Sequence, residues 1–168
     1  MGSWGNCDFS QLKQLKRKIE KMGNTNYSQQ FIEACAKELT ARLLSKVINK
    51  TQPGVYPKNS GKKGGTLRRG WTSKTQQEAM SGAGRGKNPK AYANSLPIIN
   101  NGSTYEIEII NPVHYASYVE YGHRTKDHKG WVSGRFVLTL SVHELNTEAP
   151  AVLERKLASF LEECFNDD

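Results

Sequence analysis

The chain of 168 residues has no run of apolar residues long enough to cross a bilayer, and its opening segment lacks the apolar core of a secretory signal. Both absences predict a protein made and used in solution. Met1-Gly2 would suit a myristoylated start, but Asn6 stands where that signal needs Ser or Thr. Cysteine is scarce. Cys7, Cys35 and Cys164 are odd in number and far apart, which excludes a disulfide framework and a recognisable zinc site. Cys35 and Cys164 fall on apolar helix faces, so they are expected to be reduced, cytosolic and mostly buried. Acid is nearly missing from the middle of the chain: between Ala41 and Ala93 twelve Lys or Arg stand against Glu78 alone, whereas from Glu144 to Asp168 seven acids face two bases. The net charge of +8 is therefore unevenly placed. Such a split suits a solvated surface with its signs sequestered, contact with nucleic acid, or head-to-tail contact between copies.

Catalytic signatures are also missing. His123 and His128, with Asp127 between them, form the one cluster that could suggest a metal or a general base. It lies in a polar connector with no third ligand at a known spacing, and solvated side chains are the simpler reading. No Ser-His-Asp or Cys-His order stands out. Gly84-Arg85-Gly86-Lys87 invites comparison with a phosphate loop, but Ser81 occupies that motif's first glycine position and Asn88 its final Ser/Thr position. No enzyme and no cofactor is predicted; a hydrolase built on His123 and His128 is a minor alternative.

What is present is amphipathic. Hydrophobic residues make up 36% and aromatics 9%, enough for a modest core in one domain spanning 1–168. Phe9, Leu12, Leu15, Ile19 and Met22 predict a first helix with a lysine-rich outer face, ended at Gly23-Asn24. Ser28 opens a longer helix to about Asn49, with Phe31, Cys35, Leu39, Leu43 and Val47 as its core stripe. Two loops rich in Gly and Lys, about 54–66 and 81–93, are expected to be mobile. Leu67 to Lys74 is expected as a strand centred on Trp71. Leu96 to Ile99 is expected as another, turning at Asn101-Gly102 into a third at Tyr105. The fold class is α+β, a small antiparallel sheet of at least three strands covered by the long helix, flanked by amphipathic N- and C-terminal helices.

From Tyr105 to Ile109, aromatic or aliphatic residues alternate with Glu106 and Glu108, the period of a half-buried strand. Asn111 can cap a helix beginning at Pro112, and Gly122 can close it. For 134–145 the period is ambiguous between strand and helix; helix is favoured, with Ser133 as its cap, followed by a final helix capped at Thr147 and lined by Leu153, Leu157, Phe160, Leu161 and Cys164.

The run Asn111-Pro112-x-x-Tyr115-Ala116-x-Tyr118-Val119-Glu120-Tyr121-Gly122-His123-Arg124, followed by Gly130-Trp131-Val132-x-Gly134-Arg135-Phe136, resembles the tail-component family of long-tailed bacteriophages and prophages. Thr51-x-Pro53 and Leu67-Arg68-Arg69-Gly70-Trp71 are similar to that family's Thr-Pro turn and Leu-Arg-x-x-Trp motif. Thirteen residues, Gly54 to Thr66, separate the two where the family usually turns quickly. The resemblance implies a structural virion protein that completes the head-to-tail joint. It also implies a homo-oligomeric, hexameric ring in the neck, meeting a head-completion or connector protein on one side and a tail terminator or tail-tube protein on the other. Such a protein is found in the virion and, during assembly, in the host cytoplasm; no membrane is involved. Trp71, Tyr115, Tyr118, Tyr121, His123, Arg124, Trp131, Arg135 and Phe136 are the expected core or interface residues. Lys62, Lys63, Arg85 and Lys87 are candidates to line a lumen and touch packaged DNA. A DNA-binding accessory protein using the same basic loops is the alternative.

Overall fold

The computed structural model describes Arg17, Glu20, Gly23 and residues 25–62, 64–82, 88–102 and 104–166. The expected first helix over Phe9 to Met22 lies outside these residues apart from Arg17 and Glu20, both helical. Six α-helices and four short strands are described: α1 (Thr25–Lys50), α2 (Thr66–Gly70), α3 (Gln76–Ser81), α4 (Pro89–Ser95), β1 (Ile99–Asn100), β2 (Tyr105–Glu106), α5 (Ala116–Tyr121), β3 (Gly122–Arg124), β4 (Trp131–Ser133) and α6 (Val137–Asn166). The class is α+β, as expected from the sequence. The chain groups into two compact units, Ala36–Pro150 and the described parts of Met1–Cys35 with Ala151–Asp168.

In the larger unit the core joins Ala41, Leu44 and Val47 of α1 to Trp71, to Tyr92 and Ala93 of α4, and to Val137 at the start of α6. Within this unit the buried face of α1 is Thr40, Ala41, Leu44 and Val47; of the expected stripe Val47 is buried as read, while Leu39 and Leu43 are only half-buried. Leu43 packs at the margin of the same cluster, half-buried against it.

The expected three-stranded sheet is replaced, among the described residues, by two separate two-stranded antiparallel sheets, β1 with β2 and β3 with β4. Leu67 to Lys74 is helix and turn instead of strand. The Thr72 and Ser73 amides donate to the carbonyls of Arg69 and Gly70, and the Ser73 hydroxyl donates to Arg69 as well, so short polar side chains finish a helical turn here. At the first hairpin the Asn101 amide donates to the Thr104 carbonyl at 3.0 Å and Gly102 has φ of 86°, which moves the tip one residue beyond Asn101-Gly102. Alternation of half-buried Tyr105, Ile107 and Ile109 with exposed Glu106 and Glu108 holds as read and continues into exposed Ile110, although the ladder stops at Glu106.

Part of the second loop folds. Asn88 accepts from the Lys90 amide at 2.9 Å, Pro89 takes the first turn, and α4 buries Tyr92 and Ala93. The first loop holds a 3-10 turn at Lys58–Ser60, exposed throughout. The helix after Asn111 begins at Ala116, four residues beyond Pro112. The Asn111 carboxamide accepts from Val113 and donates to Leu67, so it serves a turn that anchors to α2. Finally, α6 runs unbroken from Val137 to Asn166 through Pro150, in place of two helices. Val137, Ser141 and Leu145 are buried at four-residue steps, which resolves the ambiguous period in favour of helix. The Thr147 hydroxyl bonds back to His143 within the helix and caps nothing.

In the smaller unit, Phe160 stacks between Tyr27 and Phe31, with ring centroids at 5.2 and 4.4 Å. Cys35, Val152 and Cys164 are buried, the two cysteines as read from their helix faces, and neither forms a disulfide among the described residues.

Candidate assembly surface

The segment from Ala116 to Val137 begins on α5, leaves it as a hairpin arm and returns to the start of α6. Its base is tightly fixed. Buried Glu120 accepts the Leu138 and Thr139 amides, each at 2.9 Å, and the Thr139 hydroxyl at 2.8 Å. A helix start leaves its first N–H groups unpaired and carries partial positive charge, so a carboxylate from α5 caps α6 in place of the expected Ser133. The Arg135 and Phe136 amides donate to the carbonyls of Val119 and Glu120 at 2.7 and 3.1 Å. Phe136 is held at φ of 49°, a conformation disfavoured for a bulky residue, which these bonds stabilise. Gly134 has to be glycine, because a Cβ there would lie 2.2 Å from the Glu120 carbonyl oxygen. Gly122, at φ of 89°, would meet the Val132 carbonyl at 2.4 Å in the same way.

The arm itself is β3 paired with β4, Gly122 opposite Ser133 and Arg124 opposite Trp131. Only Gly122 is buried; every other strand residue is exposed on whichever face it occupies. Its tip closes on its own groups: the Thr125 amide donates to the Gly130 carbonyl at 3.0 Å, and the Thr125 hydroxyl accepts the Gly130 amide at 2.9 Å. Asp127 takes bonds from the Thr125 hydroxyl and the Lys129 amide, which hold its carboxyl below the usual range. A two-stranded ribbon exposed on both faces has no core of its own beneath it, yet this one carries Trp131 at 61% exposure. Tyr118, Tyr121, Val132 and Phe136 are large exposed hydrophobics of the same segment, and Leu140 follows in the first turn of α6. So much exposed apolar surface in one stretch makes this segment the candidate contact face.

Beside the arm lies a cavity of about 300 Å³ lined by the Thr51-to-Tyr56 turn, Gly64 to Leu67, Tyr115, Tyr118, His123, Val132 and Arg135. Burial pushes the Tyr115 hydroxyl above its ordinary pKa, with Tyr56 adding to the shift. The resembled motifs are bonded to one another. Trp71 donates to Thr51, Asn111 donates to Leu67, and Gly70 is where a Cβ would sit 2.2 Å from the Asn111 side-chain oxygen. Arg69 is absorbed by this scaffold, donating to the carbonyls of Ala79 and Gly64 and to the Thr66 hydroxyl.

The expected site residues therefore divide. Trp71 is core at 6% exposure and Tyr115 lines the cavity; Tyr118, Tyr121, His123, Arg124, Trp131, Arg135 and Phe136 are exposed on or beside the arm. Of the lumen candidates, Lys62 is exposed, while Lys63, Arg85 and Lys87 lie outside the described residues. His123 faces the Tyr118 ring at 5.8 Å, His128 occupies a left-handed turn, and among the described residues no three His, Cys, Asp or Glu gather as a metal site. Sequence reasoning missed Glu120, whose only signal is a lone acid inside an aromatic run, and missed the meeting of the two charge blocks. Lys46 of α1 bonds Glu148 at 2.7 Å and Glu144 at 3.4 Å, and Lys50 bonds Glu144 at 2.6 Å.

Residues 13–122, nearly two thirds of the chain, match the model of the family described as "Bacteriophage HK97-gp10, putative tail-component". The chain belongs to this family, and its role is that of a structural phage component that assembles with other virion proteins. No curated protein and no solved structure matches it. Among the described residues no helix is long and apolar enough to cross a membrane.

Proposed function

We propose that this chain is the tail-completion, or head–tail joining, subunit of a long-tailed phage, and that copies of it close into a hexameric ring in the neck between head connector and tail. The observation that carries this reading is the β3–β4 arm, a ribbon with Trp131 and Val132 exposed and only Gly122 buried. A tail component with such an arm gains most by burying it against neighbours. Each large apolar side chain taken out of water contributes about 1.5–3 kcal/mol. The basic loop with Lys62 turns toward the DNA path in this arrangement, alongside Lys63, Arg85 and Lys87 of the sequence.

The test is negative-stain imaging of the purified protein and of necks assembled with it. Closed rings of uniform diameter, located between capsid and tail tube, are expected. Particles that complete normal necks without this protein present would overturn the assignment.

A further inference from the structure

We propose that the ring contact is made by the β3–β4 arm of one copy lying along the open strand edge at 106–110 of the next, an inference that rests on the ring reading above. Two surfaces of the same unit are each incomplete in complementary ways. The arm is basic, with exposed Arg124, Lys126 and Lys129 against Asp127 alone, and it carries Trp131 and Val132. The edge is acidic and apolar: Glu106 and Glu108 are exposed, and Ile110 beyond them is 57% exposed. Among the described residues neither the three arm cations nor the two glutamates form an ion pair, although Lys46 and Lys50 find Glu144 and Glu148.

The backbone points the same way. From Ile107 to Ile110 the chain continues the alternation of a strand after its ladder with β1 has ended at Glu106, and no backbone hydrogen bond to these four residues is made among the described ones. An unpaired extended edge accepts another strand, and each strand of a two-stranded arm has one free edge to offer. A second copy is the occupant that fits, because the opposite charges and both open edges are on the same chain. Such a contact joins two different patches, so it is heterologous and propagates from copy to copy until the rotation closes a ring.

Sedimentation velocity on four samples tests this: the wild type, E106K/E108K, the arm variant R124E/K126E/K129E, and an equimolar mixture of the two variants. All five substituted positions are exposed, and circular dichroism melting should match the wild type. Each variant alone sets like charges against each other and should associate at least about tenfold more weakly than the wild type. In the mixture the basic edge of one variant meets the acidic arm of the other, and the acidic edge meets the basic arm, so association should return. If either variant associates as the wild type does, or if both fail and the mixture does not restore assembly, the contact assignment is wrong while the ring reading stands. A wild type that stays monomeric in solution and in assembled necks overturns both.

Discussion

The indole N–H of Trp71 donates to the Thr51 hydroxyl oxygen at 2.9 Å, and that hydroxyl donates in turn to the Val47 carbonyl at 2.6 Å. The pair ties the end of α1 to the centre of the core and fixes where the following turn, one wall of the cavity beside the arm, leaves the helix. Truncating the ring removes both packing and an anchor. Trp71→Ala is expected to lose about 3–5 kcal/mol of stability, and Trp71→Phe, which keeps most of the ring, about 1 kcal/mol. Urea unfolding of both variants checks this. A Trp71→Ala protein with the wild-type midpoint would remove Trp71 from the core.

Glu120 is a buried carboxylate with three donors at the start of α6. Glu120→Ala leaves two amides unpaired and should lose about 1–3 kcal/mol, whereas Glu120→Gln, with one acceptor oxygen, should fall between. Because Gly134 brings the arm's return strand against the Glu120 backbone carbonyl, Gly134→Ala should release the arm as well. Faster amide exchange at residues 122–133 in both Ala variants is the expected signature; unchanged exchange would separate the arm from this anchor.

The charge network of Lys46 and Lys50 with Glu144 and Glu148 predicts a two-sided pH dependence. Hydrogen bonding from Lys50, then the nearby positive charges, holds Glu144 below its ordinary pKa. Its stabilisation is present above the ordinary carboxylate range and is lost as pH falls through the depressed value. Hydrogen bonding to Glu148 raises Lys46, so its contribution is present below the ordinary lysine value and is lost as pH rises through the raised one. Both groups are close to solvent, so the effect is small and screened by salt. Thermal melts from acid to alkaline pH should show a plateau that Glu144→Gln flattens on the acid side. An unchanged acid limb would mean the network contributes nothing.

Neutralising Lys62, Lys63, Arg85 and Lys87 together should leave the subunit folded, since none sits in an apolar stripe. Any DNA association should weaken, with its salt dependence flattening by about 0.9 per lost duplex phosphate contact. Binding isotherms at several salt concentrations read this directly. An unchanged slope means other residues face DNA. Normal binding with failed neck assembly moves the four to a protein interface.

Amide exchange should also separate the two glycine-rich loops. Residues 52–62, exposed and short of apolar area with which to offset ordering, should exchange rapidly, while Tyr92 in α4 should be protected. Equal rates in both would contradict the placement of α4.

How much of this was legible in the sequence follows the range of each interaction. Local signals were sufficient for the α+β class, the long α1, buried Cys35 and Cys164, the turn near Gly102 and the family motifs, because propensity, period and turn chemistry act within a few residues. Asn111 was read as a helix cap and instead anchors a turn, because its target, the Leu67 carbonyl, lies 44 positions away and no local pattern names it. What the tertiary structure alone decided is long-range. Trp71 became a helix-end core residue instead of a strand residue because Thr51 and α1 surround it. The helix favoured over 134–145 began only at Val137, because Glu120, distant in sequence, caps it in place of Ser133. The basic and acidic blocks, far apart along the chain, met at Lys46 and Glu144 because α1 packs against α6. Each of these outcomes depends on a partner that no local pattern names, which is why the sequence specified the elements and only their packing specified the face left open for assembly.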